Sequence, residues 1–183
     1  MSATTQLVVY GDFNCPFSAL ASHRAERLER TGRFSVDWRA VEHEPSIPPT
    51  GQPVQGKLAD ELDGELEQVR GLLVAGEEFS LRRPPVRSNT AAATTTYAGV
   101  EPTRRPAVRA ELFRWYWTEG GDLADGQHLR EIADGQDPAT AARWQGEWLQ
   151  LEQRIVPIMR LPDGYVSRGL GALRRMAEFM AGA

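Results

Sequence analysis

An apolar run, a helical period and an alternating run follow one another within the first 41 residues, and that order restricts the fold more than any other feature of the chain. Leu7, Val8, Val9 and Tyr10 make a continuous apolar stretch, so residues 7 to 13 read as a buried strand. Phe17, Leu20, Ala21, Ala25 and Leu28 then recur at steps of three and four before Gly32, which predicts a helix over 16–30. From Arg33 to Val41, apolar Phe34, Val36, Trp38 and Ala40 alternate with polar neighbours, as in a strand with one buried face. Strand, helix and strand in so short a span form a βαβ unit, with parallel strands and a right-handed crossover. The chain is therefore expected to be α/β from its start.

The pattern breaks at a connection containing Pro45, Pro48, Pro49 and Pro53, which suits neither helix nor strand. Leu58, Leu62, Leu66, Val69 and Leu73 then predict a helix over 57–78 with an acidic opposite face. Further helices are expected at 89–99, with Ser88-Asn89 as cap, at 106–118, at 125–134 and at 138–153. After residue 153, Ile155-Val156-Pro157-Ile158-Met159 and Tyr165-Val166-Ser167 flank the turn signal Asp163-Gly164. A last helix over 169–181 is expected to bury Leu170, Leu173, Met176 and Met180. Residues 1–50 and 154–183 thus read as one α/β core, divided by an all-helical insertion over 51–153.

The chain has one cysteine, which excludes an internal disulfide, a C-x-x-C redox pair and a cysteine-rich zinc site. Cys15 follows the first strand and precedes Pro16, the expected first helical residue. A thiol at a helix N-terminus meets the partial positive charge of the unpaired N–H groups, and such thiols fall from about 8.5 to between about 3.5 and 7.5. A lowered pKa and a nucleophilic role are the expectation for Cys15. Ser18, three residues on, can bond the sulfur or the backbone of the first turn.

This order, with a thiol closing the first strand and a proline opening a late hairpin, resembles the thioredoxin fold with an inserted all-helical subdomain. It is similar to the DsbA-like family, in particular the FrnE-like branch and its relatives among kappa-class glutathione transferases and hydroxychromene carboxylate isomerases. The resemblance rests on Asp12-Phe13-Asn14-Cys15-Pro16-Phe17-Ser18, on Ser88-Asn89-Thr90, and on Leu112-Phe113-Arg114-Trp115-Tyr116 followed by Gly121-Asp122-Leu123. Val156-Pro157 and the stretch from Val166 to Gly169 complete it. It implies that Cys15 attacks, that Ser18 stands where a resolving thiol would be, and that Pro157 follows a cis bond. Pro16, Phe17, Val156 and Pro157 would then contact substrate, with the Val156 backbone pairing an extended thiol peptide.

Dithiol cycling is excluded by Ser18, and three routes remain. Cys15 can exchange with a mixed disulfide that glutathione or mycothiol, as co-substrate, then resolves. The protein can instead bind such a small thiol and activate it for isomerisation or transfer through Ser18 or the helix N-terminus. It can also be a binding module without chemistry. The retained sulfur favours the first route, with no tightly bound cofactor and a thiol or disulfide substrate, and with a monomer or homodimer expected. A net charge of −4 gives no footprint for nucleic acid, and no stretch has the length of a membrane span. Arg82-Arg83, Arg104-Arg105 and Arg174-Arg175 read as solvated ends and loops. The first six residues lack the pattern of a secretory leader, so a cytoplasmic setting is expected. No spacing of His, Cys or carboxylates suggests a metal. His43, beside Glu42 and Glu44, faces either a site or solvent, and the tryptophans read as packing residues that could also line a groove near the thiol.

Overall fold

The computed structural model describes residues 4–182. β1 (Thr5–Gly11) leads into α1 (Pro16–Arg30) and β2 (Phe34–Ala40), and the two strands pair in parallel from Thr5↔Phe34 to Gly11↔Ala40. β1 ends at Gly11 rather than continuing to residue 13, because residues 12–14 form the turn that feeds α1. Gly11 is demanded by packing: a Cβ there would lie 2.3 Å from the buried Trp38 ring.

The chain continues through β3 (Gln52–Pro53), α2 (Lys57–Gly71), β4 (Val86–Arg87), α3 (Ala91–Ala98), α4 (Arg105–Trp117), α5 (Gly126–Ile132) and α6 (Pro138–Leu149). β5 (Ile158–Arg160), β6 (Val166–Arg168) and α7 (Leu170–Ala181) close it. The main sheet has the order β2-β1-β5-β6, with β5 antiparallel to both β1 and β6. This mixed sheet with its helices is a thioredoxin-like fold. α1 and α7 pack together, whereas α3 and α6 pack on β2, one outer strand of the sheet.

Several expectations shift. The segment 51–153 is not all-helical, since β3 and β4 pair as a small antiparallel ribbon. α2 stops at Gly71 instead of 78, and the chain turns through Val74–Glu77 so that Glu77 reaches Arg24 of α1. α3 begins at Ala91 behind Thr90: Asn89 Oδ1 accepts the Ala91 N–H, while Ser88 turns its hydroxyl to Asp122. α5 and α6 are shorter than expected and are capped by Asp125 and Asp137. Leu170 is half exposed, because it opens α7 before the buried face of Leu173 and Met176 is established.

Candidate active site

Four residues join β1 to α1, and the first three are each held by a different part of the chain. The Asp12 N–H donates to Ser18 Oγ at 3.2 Å, and its Oδ2 accepts the His43 backbone N–H at 2.8 Å with His43 Nδ1 at 2.7 Å. The Phe13 carbonyl accepts the indole N–H of Trp117 at 2.9 Å. Asn14 donates its amide to the Ser88 carbonyl, also at 2.9 Å. Ser88 is fixed in turn, since its hydroxyl donates to Asp122 and accepts the Leu123 N–H. Trp115 lies over Gly121, where a Cβ would come within 1.9 Å of the ring. The scattered sequence anchors thus meet around one turn.

Cys15 is the N-cap residue of α1, in extended conformation with φ −101° and ψ 122°. Its side chain makes no capping bond, and Pro16 occupies the first turn. The sulfur points across to the β5 entry, where the Val156 carbonyl lies 4.0 Å from Sγ and the Val156-Pro157 bond is cis. The Val156 carbonyl therefore faces the thiol. Val156, Pro157 and Pro16 are buried, and Phe17 is half-buried.

The thiol itself is only 6 % exposed, and this reverses the expectation of a lowered pKa. Burial pushes Cys15 up to about 11. The Ser18 backbone N–H and hydroxyl, with the Phe17 N–H, pull it down, and the negative charge of Asp12 adds to the rise. Desolvation of a thiolate outweighs the few donors that one helix end offers. At neutral pH the resting sulfur is protonated.

The candidates Cys15, Ser18, Val156 and Pro157 therefore meet, with Pro16 and Phe17 framing the turn. Sequence reasoning passed over Asp12 and Asn14 and left His43 open. The signal for His43 lay in the βαβ unit: with Gly11 paired to Ala40, the residues just beyond each strand are neighbours, and Val41 N–H donates to the Gly11 carbonyl. Glu42 follows, its carboxyl raised by burial and by Asp12. His23 is engaged elsewhere, packed at a tilt against Phe79 and 3.9 Å from Glu77. Four tryptophans are core residues, and Trp115 stacks on His128 with the rings 3.8 Å apart, so the packing reading applies to them.

The family model described as the DSBA-like thioredoxin domain matches residues 6–142. The chain belongs to this family. Structures similar to the DSBA-like chain include a probable DsbA oxidoreductase from Streptomyces coelicolor, at 18 % identity and TM-score 0.72, covering 97 % of this chain and 89 % of the other. A 2-hydroxychromene-2-carboxylate isomerase is similar at 18 % identity and TM-score 0.69, with 97 % and 95 % covered. No curated protein matches the sequence. Family membership makes the protein an enzyme, in a family that acts on thiol and disulfide substrates. Among the described residues, no helix is long and apolar enough to cross a membrane, and no three His, Cys, Asp or Glu cluster as metal ligands.

Proposed function

We propose that the protein is a thiol-disulfide oxidoreductase that works by monothiol exchange through Cys15. The observation that carries this reading is the single thiol at the start of α1, facing the Val156 carbonyl beside the cis Val156-Pro157 bond. Cys15 loses its proton to solvent and attacks one sulfur of a disulfide. The S–S bond breaks, Cys15 keeps one half as a mixed disulfide and the other half leaves as a thiolate. With Ser18 in place of a second cysteine, a small thiol, glutathione or mycothiol, attacks the mixed disulfide and restores Cys15. Pro16, Phe17, Val156 and Pro157 position the substrate, in a cytoplasmic setting where such thiols are abundant.

A second reading is favoured by the buried, protonated state of Cys15. A bound small thiol, rather than Cys15, would then carry the reactive thiolate at the α1 N-terminus and support isomerisation or transfer, with Cys15 or Ser18 as hydrogen-bond donor.

Incubation with glutathione disulfide followed by intact mass separates the two. Exchange predicts a single glutathionyl adduct on Cys15, formed about a hundredfold faster at pH 9 than at pH 7 because the thiol titrates far above both. Reduced thiol should then remove it. An unmodified folded protein at both pH values, with adduct only after denaturation, would sink exchange. Small-thiol-dependent turnover that survives Cys15→Ser would establish the second reading.

A further inference from the structure

The C-terminal end of this acidic protein carries a net positive charge. The last thirty residues hold five arginines and two acidic side chains, in a chain of net charge −4. Three of those arginines, Arg168, Arg174 and Arg175, line a groove of about 310 Å³ between β6 and α7, together with one carboxylate, Glu178. Among the described residues, Arg168 and Arg174 make no ion pair, whereas Arg175 pairs with Glu178 on its own helix. Arg168 Nε is buried with no hydrogen-bond partner. A buried donor on a charged group is costly to leave unmade.

The backbone beside this groove is also open. β6 is an outer strand of the sheet and pairs with β5 alone. Leu161 N–H donates to the Tyr165 carbonyl and Gly169 N–H to the Pro157 carbonyl, so Tyr165, Ser167 and Gly169 turn their backbone groups toward β5. Antiparallel alternation then turns the N–H and C=O of Val166 and Arg168 outward. Cationic side chains on an edge can simply guard it against pairing. Here they flank a groove large enough to be filled, and Arg168 keeps one donor unmatched.

We propose that the outer edge of β6 and the Arg168-Arg174-Arg175 groove bind an extended acidic segment of a partner protein, added as a strand. Backbone pairing would satisfy Val166 and Arg168, and carboxylates at alternate positions would meet the arginines. No chemistry at Cys15 is involved, so this inference stands or falls apart from the exchange reading.

The probe is a fluorescent, end-blocked octapeptide of alternating Glu and Val, titrated against the full chain by anisotropy. Saturable binding is expected, at least about tenfold weaker when Glu is replaced by Lys or when the protein carries Arg168→Gln or Arg174→Gln. Arg174 is exposed, so its variant reports on charge with the fold intact. Methylation of alternate peptide N–H groups should abolish binding. Absence of saturation, indifference to both arginine variants, or tolerance of N-methylation would each overturn the proposal. Peptide displacement by concentration-dependent self-association would do so too, by naming a second copy as the occupant.

Discussion

Helix α1 is bordered by two buried carboxylates, and they are satisfied very differently. Glu77 receives Arg24 Nε at 2.8 Å on one oxygen, and Arg24 Nη2 at 2.7 Å with the Val74 N–H at 3.1 Å on the other. Arg24 gives two further N–H groups to the Leu173 and Leu72 carbonyls, each at 2.7 Å. Both Glu77 oxygens are thereby matched. Asp12, at the N-terminal end of the same helix, gives Oδ2 to His43 and leaves Oδ1 buried without a partner. Asn14 Oδ1 is likewise unpartnered, and between these two residues and Val156 sits a buried, protonated thiol. Buried polar groups are normally paired, so the contrast separates a cluster that holds the fold together from a turn with hydrogen-bonding capacity in reserve.

Breaking the Arg24–Glu77 cluster should have the largest effect. Glu77→Ala strands the Arg24 guanidinium in the core, and a loss of about 3–5 kcal/mol is expected in urea unfolding. A small loss would mean that water reaches Arg24 when Glu77 is gone. Burial raises the Glu77 carboxyl, but the Arg24 bonds and the Val74 N–H prevail and hold it below its ordinary value. With the folded pKa depressed, the stabilisation is complete above about pH 4.3 and is lost as the pH falls through the folded value. Glu77→Gln should flatten that acid limb.

The thiol turn should fail at the opposite end of the pH scale. Cys15 is raised in the folded protein, so its contribution is fully present below about pH 8.5 and is lost as the pH rises toward about 11. The full loss is roughly 3 kcal/mol for a shift of this size. Cys15→Ala should remove this alkaline sag, as read from midpoints at pH 8 and pH 11. Equal sag in both proteins would show that the sulfur is less buried in solution.

How much of this contrast was legible in the sequence depends on chain separation. The βαβ start, the span of α1 and the Cys15–Pro16 junction come from local periodicity and matched the structure closely. α2 was read too long because Leu73 fits its apolar stripe, whereas the long-range pull of Arg24 on Glu77 ends that helix. Arg24 is a charged residue on an amphipathic helix, and nothing local marks it as 1 % exposed. The Trp117 bond to Phe13 and the Asn14 bond to Ser88 join residues 104 and 74 positions apart, beyond any periodicity. The thiol pKa was misjudged for the same reason: the helix terminus is visible in sequence, but the packing that buries it is not.

The smallest expected effect isolates electrostatics from burial at the sulfur. Burial is the main cause of the raised Cys15 pKa, and the Asp12 charge is a lesser one. Asp12→Asn removes that charge and keeps a carbonyl oxygen able to accept the His43 N–H that now goes to Oδ2. The midpoint of Cys15 alkylation by iodoacetamide should fall by a unit or less, to a value still above that of a free thiol near 8.5. Alkylation at pH 7 should then quicken by up to about tenfold, since each unit of pKa changes the thiolate fraction tenfold. An unmoved midpoint would mean that His43 already neutralises Asp12 as seen from the sulfur, and His43→Gln should then raise the midpoint by exposing the charge. A fall to well below 8.5 would instead make Asp12, and not burial, the group that keeps the thiol protonated.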